Sequence, residues 1–143
     1  MKCPKCQSEM ETVAVEGVQI NRCTKCQGLW FDEFELDDLK TKKGTEAVDT
    51  GNVQVGKTYN KQDRIRCPKC TEPMLRVVDN DHPHIWYETC EICGGSFLDA
   101  GEFKDMKKVN LLGKIKDALV ELKGGRKTQS VKLSHEALRK VLL

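Results

Sequence analysis

Eight cysteines constrain this 143-residue chain more than any other feature, because they fall into four pairs of one form, Cys-x-x-Cys: Cys3/Cys6, Cys23/Cys26, Cys67/Cys70 and Cys90/Cys93. Sixteen residues separate the first two pairs and nineteen the last two. Two intervening residues let the backbone turn so that both sulfurs face one point. Two such turns offer four thiolates to a tetrahedral ion. The spacing is that of a four-cysteine zinc site, met twice. Disulfides are the competing use, but they need an oxidising compartment. Met1-Lys2-Cys3-Pro4 is followed by no apolar stretch, so no secretory leader is expected. A redox dithiol of the thioredoxin kind occurs once beside a βαβ pattern, which this sequence lacks. The expectation is therefore two Zn2+ per chain, one on Cys3, Cys6, Cys23 and Cys26, the other on Cys67, Cys70, Cys90 and Cys93.

The cysteine pairs belong to an internal repeat. Cys3-Pro4-Lys5-Cys6 with Met10 matches Cys67-Pro68-Lys69-Cys70 with Met74. Cys23, Cys26, Gly28, Asp32, Glu35, Asp38 and Lys40 match Cys90, Cys93, Gly95, Asp99, Glu102, Asp105 and Lys107 at a constant offset of 67. Trp30 stands opposite Phe97 in this alignment, Phe31 opposite Leu98, Leu36 opposite Phe103 and Leu39 opposite Met106. Apolar replaces apolar, as in a duplicated packing unit.

Each repeat predicts the same elements. Residues 12–15 and 18–22 alternate in polarity around Glu16-Gly17, which is a β-hairpin signal. Its counterpart is 75–78 and 85–88 around the longer turn 79–83. Leu29-Trp30-Phe31 reads as a short extended piece. Asp32-x-x-Glu35 and Asp99-x-x-Glu102 resemble capping boxes, so a helix is expected to start at Asp32, with Phe34 or Leu36 and Leu39 on its apolar side. A unit of about 40 residues buries too little surface to fold alone. With 38% hydrophobic and 6% aromatic residues, the chain has no stock for one large core. The ion is expected to supply the missing stability, on the order of 10 kcal/mol or more.

The run Cys23-Thr24-Lys25-Cys26-Gln27-Gly28-Leu29-Trp30-Phe31-Asp32-Glu33-Phe34-Glu35-Leu36, following a Cys-Pro-x-Cys and a hairpin, resembles the prokaryotic zinc ribbon classed with the transcription factor IIB zinc finger. The second repeat departs from it by carrying Phe97 for the Trp and Phe103 for the Leu. The resemblance covers 1–42 and 67–108. It implies a small metal-stabilised α+β fold of two tandem zinc ribbons, each a β-hairpin, two Cys knuckles and a short helix. It also implies a transcription-related role in binding protein or nucleic acid.

Outside the repeats, 44–66 is polar and Gly-punctuated and reads as a linker or loosely ordered arm; Val53 and Val55 suit a short strand, and Tyr59 is placed to dock. A linker of this length predicts independently folding ribbons, 1–43 and 67–108. Residues 109–143 are expected to form a basic amphipathic helical tail. Leu112, Ile115, Leu119 and Leu122 have helical spacing, Gly124-Gly125 ends that helix, and Ser134 caps a last one. The tail is expected to pack on the chain, with homo-oligomerisation through these helices as the other use of their stripes.

Charge separates these parts. The net formal charge is −1 over 1–43, +1 over 44–66, −3 over 67–108 and +5 over 109–143. Four thiolates around one Zn2+ leave −2, so the metal-loaded chain falls from +2 to near −2. Acidic ribbons favour a protein partner slightly. Weak, salt-sensitive DNA or RNA contact is expected in the tail, at Lys114, Lys116, Lys123, Arg126 and Lys127. The competing patch is ribbon 1, with Trp30 stacking on bases and Lys5, Arg22 and Lys25 holding phosphates. His82 and His84 flank Pro83 on a turn and are read as surface residues, since both thiolate sets are complete without them.

The function expected is a non-enzymatic zinc-binding adaptor in the cytoplasm. No Ser-His-Asp set, phosphate loop or spaced His-Glu motif appears. No run approaches the roughly 18 apolar residues of a membrane helix. The runner-up is a rubredoxin-like iron electron carrier, since four cysteines also hold iron and Cys93-Gly94 fits that pattern, although the other three knuckles lack the glycine.

Overall fold

Each hairpin forms where polarity alternates around a turn, and in the first the turn takes positive φ. Strands β1 (Met10–Val15) and β2 (Val18–Cys23) are joined by Glu16 and Gly17, both at positive φ, with Val15 paired to Val18. Two positive-φ central residues match the right-handed twist of the flanking strands. Strand β3 (Leu29–Phe31) pairs antiparallel with β2, and helix α1 (Glu35–Thr41) follows. The second repeat gives β4 (Leu75–Val78), β5 (Trp86–Thr89), β6 (Ser96–Leu98) and α3 (Glu102–Lys107). The structure, a computed structural model, describes residues 1–108; the helical tail expected over 109–143 lies outside the described residues. No helix among the described residues is long and apolar enough to cross a membrane.

The two hairpins are not separate. All six strands form one sheet in the order β1-β2-β3-β6-β5-β4. At its centre β3 pairs antiparallel with β6: Leu29 opposite Leu98, Trp30 opposite Phe97, Phe31 opposite Ser96. Trp30 and Phe97 are equivalent positions of the repeat, so an approximate two-fold axis passes between them. The expectation of independently folding ribbons is corrected here, because neither ribbon's third strand is an edge.

Side-chain alternation then divides the core in two. Leu29, Phe31 and Leu98 join Ile20, Leu36, Leu39, Val77, Tyr87, Phe103 and Met106 in one buried cluster. Phe31 and Phe103, from different repeats, place their ring centroids 5.3 Å apart. Trp30 and Phe97 join the cysteines, Ile65 and Met74 in the other cluster. Both clusters mix residues of both repeats.

The segment expected to be a loose arm is packed. Residues Thr45–Val48 make a 3-10 turn, and Val53–Asn60 is helix α2, not a strand at Val53 and Val55. Asn52 caps α2 by accepting from the amides of Gln54 and Val55. Asp49, fully buried, accepts from the amides of Gly101 at 2.9 Å and Lys104 at 3.0 Å, and so caps α3. That cap is not visible in sequence, because it lies 52 residues from its target.

The helices also begin later than N-caps at Asp32 and Asp99 suggest, at Glu35 and Glu102. Glu35 and Glu102 do reach back, accepting from the amides of Asp32 and Asp99 at 2.6 Å each. The Asp carboxylates, however, are drawn to lysines of the opposite repeat, described below. Phe34 and Gly101 therefore stand at the helix starts in the left-handed region. Phe34 points outward and is 50% exposed, leaving Leu36 and Leu39 as the buried side of α1.

Two glycines make the junction close. A Cβ on Gly95 would lie 2.1 Å from a ring carbon of Trp30, and one on Gly28 would lie 2.3 Å from a ring carbon of Phe97. Each knuckle glycine thus leaves room for the aromatic ring of the other repeat; neither needs an unusual φ. Gly95→Ala is expected to destabilise the zinc-loaded chain by about 1–3 kcal/mol, the cost of overpacking a filled core. Gly17→Asn, at positive φ but with nothing within 4 Å of its Cβ, should cost far less. Urea denaturation of both variants checks this, and equal costs would contradict the close fit.

Candidate metal centres and the junction between them

The four knuckles share one backbone device. The residue after the second cysteine of each pair takes positive φ: Gln7, Gln27, Thr71 and Gly94. The chain doubles back there. Gln7, Thr71 and Gly94 donate their amides to the carbonyls of Cys3, Cys67 and Cys90 at 2.8–2.9 Å. Only Gly94 adopts this conformation without a Cβ, and a Cβ there would also meet Glu33 at 2.8 Å.

The device gathers the sulfurs. Cys3, Cys6, Cys23 and Cys26 form one group and Cys67, Cys70, Cys90 and Cys93 the other; within each, all Sγ atoms lie within 4.8 Å of one another. The closer spacings are 3.7 Å for Cys3–Cys26, 3.3 Å for Cys6–Cys23 and 3.7 Å for Cys67–Cys93. All eight cysteines are free thiols, and the spacings far exceed a disulfide bond of about 2.05 Å. Four sulfurs about 2.3 Å from a tetrahedral Zn2+ stand about 3.8 Å apart, so both groups fit that ion. Backbone amides of Lys25 and Cys26 point at Cys23 Sγ at 3.4 Å, and those of Lys69 and Cys70 at Cys67 Sγ at 3.4 and 3.3 Å. They offset negative charge on the thiolates.

The same crowding acts on the thiols. The hydrogen bond from Cys26 holds Cys3 down to about 5, and the same bond pushes Cys26 strongly up. Burial pushes Cys93 up to about 11. Four thiolates this close repel one another unless a cation sits among them, and Zn2+ supplies that charge and the tetrahedral order. Neither His82 nor His84 enters a cysteine group. His84 lies on the surface, 2.7 Å from Asp105. His82, expected on the surface, is buried, with its ring nitrogens 2.9 Å from Asp79 and 3.0 Å from the Lys108 carbonyl.

Between the two metal groups lies a buried ionic cluster that sequence reasoning missed. Lys5, inside the first knuckle, sends its ammonium across the junction to Glu88 at 2.7 Å and Asp99 at 2.8 Å. It also donates to the Tyr59 carbonyl at 3.0 Å. None of these three charged side chains is more than 1% exposed. Asn60 donates to Asp99 and Glu102 at 3.0 Å each, and Arg76 reaches Glu88 at 3.3 Å. Burial pushes Glu88 up to about 7 against the pull of Lys5, and burial with the charge of Asp99 pushes Glu102 up to about 9. One oxygen each of Glu88 and Asp99 has no hydrogen-bond partner among the described residues.

The same contact recurs across the approximate two-fold axis. Lys69, the counterpart of Lys5, pairs with Asp32, the counterpart of Asp99. There the side chains are 45% and 44% exposed, and Asn21 occupies the position equivalent to Glu88. Asp32 also accepts from Trp30 Nε1 at 3.0 Å. The signal that marks this junction in sequence is the identity of Lys5 with Lys69 and of Asp32 with Asp99.

Of the ribbon 1 patch weighed for nucleic acid, Lys25 is exposed and Arg22 half-buried, whereas Trp30 and Lys5 are withdrawn from the surface. Trp30 and Phe97 are fully buried. Lys5 is enclosed, and Arg22 is tied to Glu11 at 3.0 Å and to the Val48 carbonyl at 3.0 Å.

The equivalent lysines differ in burial, and so in worth. Lys5→Met is expected to destabilise the zinc-loaded chain by about 3–5 kcal/mol, because two buried carboxylates lose their counter-charge. Lys69→Met, at a half-exposed pair, should cost less than about 1 kcal/mol. Chemical denaturation of the two variants side by side tests this, and similar losses would contradict the assignment of Lys5 to the junction.

Comparison with known families gives a match in two segments. The profile described as a transcription factor zinc-finger covers residues 2–42 and again 66–109. No curated protein and no solved structure gives a significant match.

Proposed function

The chain belongs to the transcription factor zinc-finger family, and from that premise we propose that it is a non-enzymatic adaptor of a transcription-related assembly. Its two ribbons act as one body that presents outer surfaces to a protein or nucleic-acid partner. The observation that carries this reading is the composition of the two metal groups. Each gathers four cysteine sulfurs, so a four-coordinate Zn2+ keeps no open position for water or substrate. The buried polar groups support it too. Lys5 fills the space between Glu88 and Asp99, which makes this cluster part of the cohesion between the ribbons. A reducing cytoplasm is the compartment in which eight thiolates persist as ligands.

Two measurements test the proposal together. Native mass spectrometry and the absorption spectrum of reduced protein are expected to give two zinc ions per chain and no visible colour. A red protein with stoichiometric iron would return the reading to an electron carrier. Affinity capture with the full chain, with and without nuclease, is expected to retain components of the transcription apparatus. Capture that survives nuclease assigns a protein partner and capture that is lost assigns nucleic acid. No enrichment under either condition would contradict an adaptor role.

A further inference from the structure

The segment sums describe ribbons that are acidic as wholes, yet the fold sorts their charges. Helices α1 and α3 end side by side, since they are equivalent elements about the approximate two-fold axis. Lysines concentrate at both ends, where cations oppose the helix dipole and its unpaired carbonyls. A groove of about 530 Å³ opens between them, lined by Lys40, Lys42, Lys43, Lys104, Lys107 and Lys108, with Glu46 as the one acidic residue of its wall.

These lysines divide by what they already hold. Lys107 bridges the two helix ends, donating to the carbonyls of Leu39 and Lys42 and to Thr45 Oγ1. Lys40 crosses to Asp79 at 2.7 Å, and Lys42 pairs with Asp38 at 3.1 Å. Lys43, Lys104 and Lys108 are exposed, and their ammonium groups have no ion-pair or hydrogen-bond partner among the described residues. Three uncompensated positive charges thus face one groove, and structural pairing accounts for the other three.

We propose that this lysine groove at the joined ends of α1 and α3 is a binding site for the phosphate backbone of a nucleic acid. The inference rests on the adaptor reading and narrows its partner. The lining contains lysine, threonine, glycine and glutamate and no apolar anchor of the kind a bound peptide buries. It presents ammonium point charges on an open surface, which suits a repeating polyanion read without sequence preference. The chain leaves this groove at Lys108 into a segment carrying net +5 over 109–143, so the positive charge continues in sequence from the groove. Sequence alone puts the expected phosphate contacts in the tail; the groove adds contacts on the folded body.

The test uses the zinc-loaded full chain and fluorescence anisotropy with labelled duplex DNA and labelled single-stranded RNA, each over a range of salt. Three variants are compared: Lys43→Glu with Lys104→Glu and Lys108→Glu; the same three positions changed to Gln; and Lys114→Glu with Lys116→Glu and Lys123→Glu in the tail. Retention of two zinc ions and an unchanged circular dichroism spectrum report folding. The groove variant with Glu is expected to bind about tenfold or more weakly, with a salt slope shallower by about 2–3, as for the loss of three phosphate contacts. The Gln variant should move the same way by less. Wild-type affinity and slope in both groove variants, with loss in the tail variant, would overturn the proposal. So would displacement of DNA by polyglutamate at equal charge concentration, which would make the occupant an acidic protein segment. Failure of the unaltered chain to bind either nucleic acid would also overturn it. The adaptor reading survives that failure if affinity capture still retains protein after nuclease.

Discussion

Three residues of β3 lie antiparallel to three residues of β6, with Trp30 opposite Phe97, and the joining of the two repeats into one body depends on that pairing. Equivalent strands of a repeat can pair in this way only about a two-fold axis, so several contacts at the junction appear twice with their partners exchanged. Lys5 meets Asp99 and Lys69 meets Asp32. Gly28 admits Phe97 and Gly95 admits Trp30. The equivalent lysines Lys40 and Lys107 both cross to the other repeat, though to different partners, Asp79 and the end of α1. This is the geometry of an isologous dimer interface carried within one chain.

The pairing also explains how so lean a composition folds. A tetrahedral ion orders one hairpin and its knuckles, but it leaves a sheet edge and half a core open to water. Joining the third strands closes both edges and lets each repeat complete the other's apolar clusters. The duplication has not stayed symmetric. At one side of the axis the lysine is enclosed with Glu88, Asp99 and Asn60; at the other it sits half-exposed, with Asn21 where the glutamate would be. A buried ion pair contributes little net stability, but removing one partner is costly. The enclosed side therefore acts as a lock on register: a slip of β6 against β3 would strand Lys5 away from its carboxylates.

Much of this is legible in the chain, and the limits have physical causes. The cysteine spacing locates both metal groups because knuckle geometry is local. The hairpins are legible because alternation and turn residues are local as well. The sheet junction is not, although Lys5 and Lys69, Asp32 and Asp99, and Gly28 and Gly95 around it are visible as identities between the repeats. Trp30 and Phe97 each pack against a knuckle glycine of the other repeat, Gly95 and Gly28. Residues 44–66 read as a loose arm because their stabilising partners are remote: Asp49 caps a helix 52 residues away, and Asn60 bonds Asp99 and Glu102. The lysine groove escapes segment sums for the same reason. Charge totals average over a ribbon, whereas the two-fold axis brings selected ends of it together.

The central claim is that metal binding at one ribbon is coupled to the order of the other through β3 and β6. The most direct measurement is the amide NMR spectrum of the full zinc-supplied chain carrying Cys26→Ser, which removes one ligand from the first group and leaves the second intact. Dispersed signals are expected to be lost in ribbon 1 and also at Phe97, Leu98 and Thr89 of ribbon 2, where β6 loses its partner strand. Unchanged ribbon 2 signals, with only residues 1–43 affected, would contradict the shared sheet.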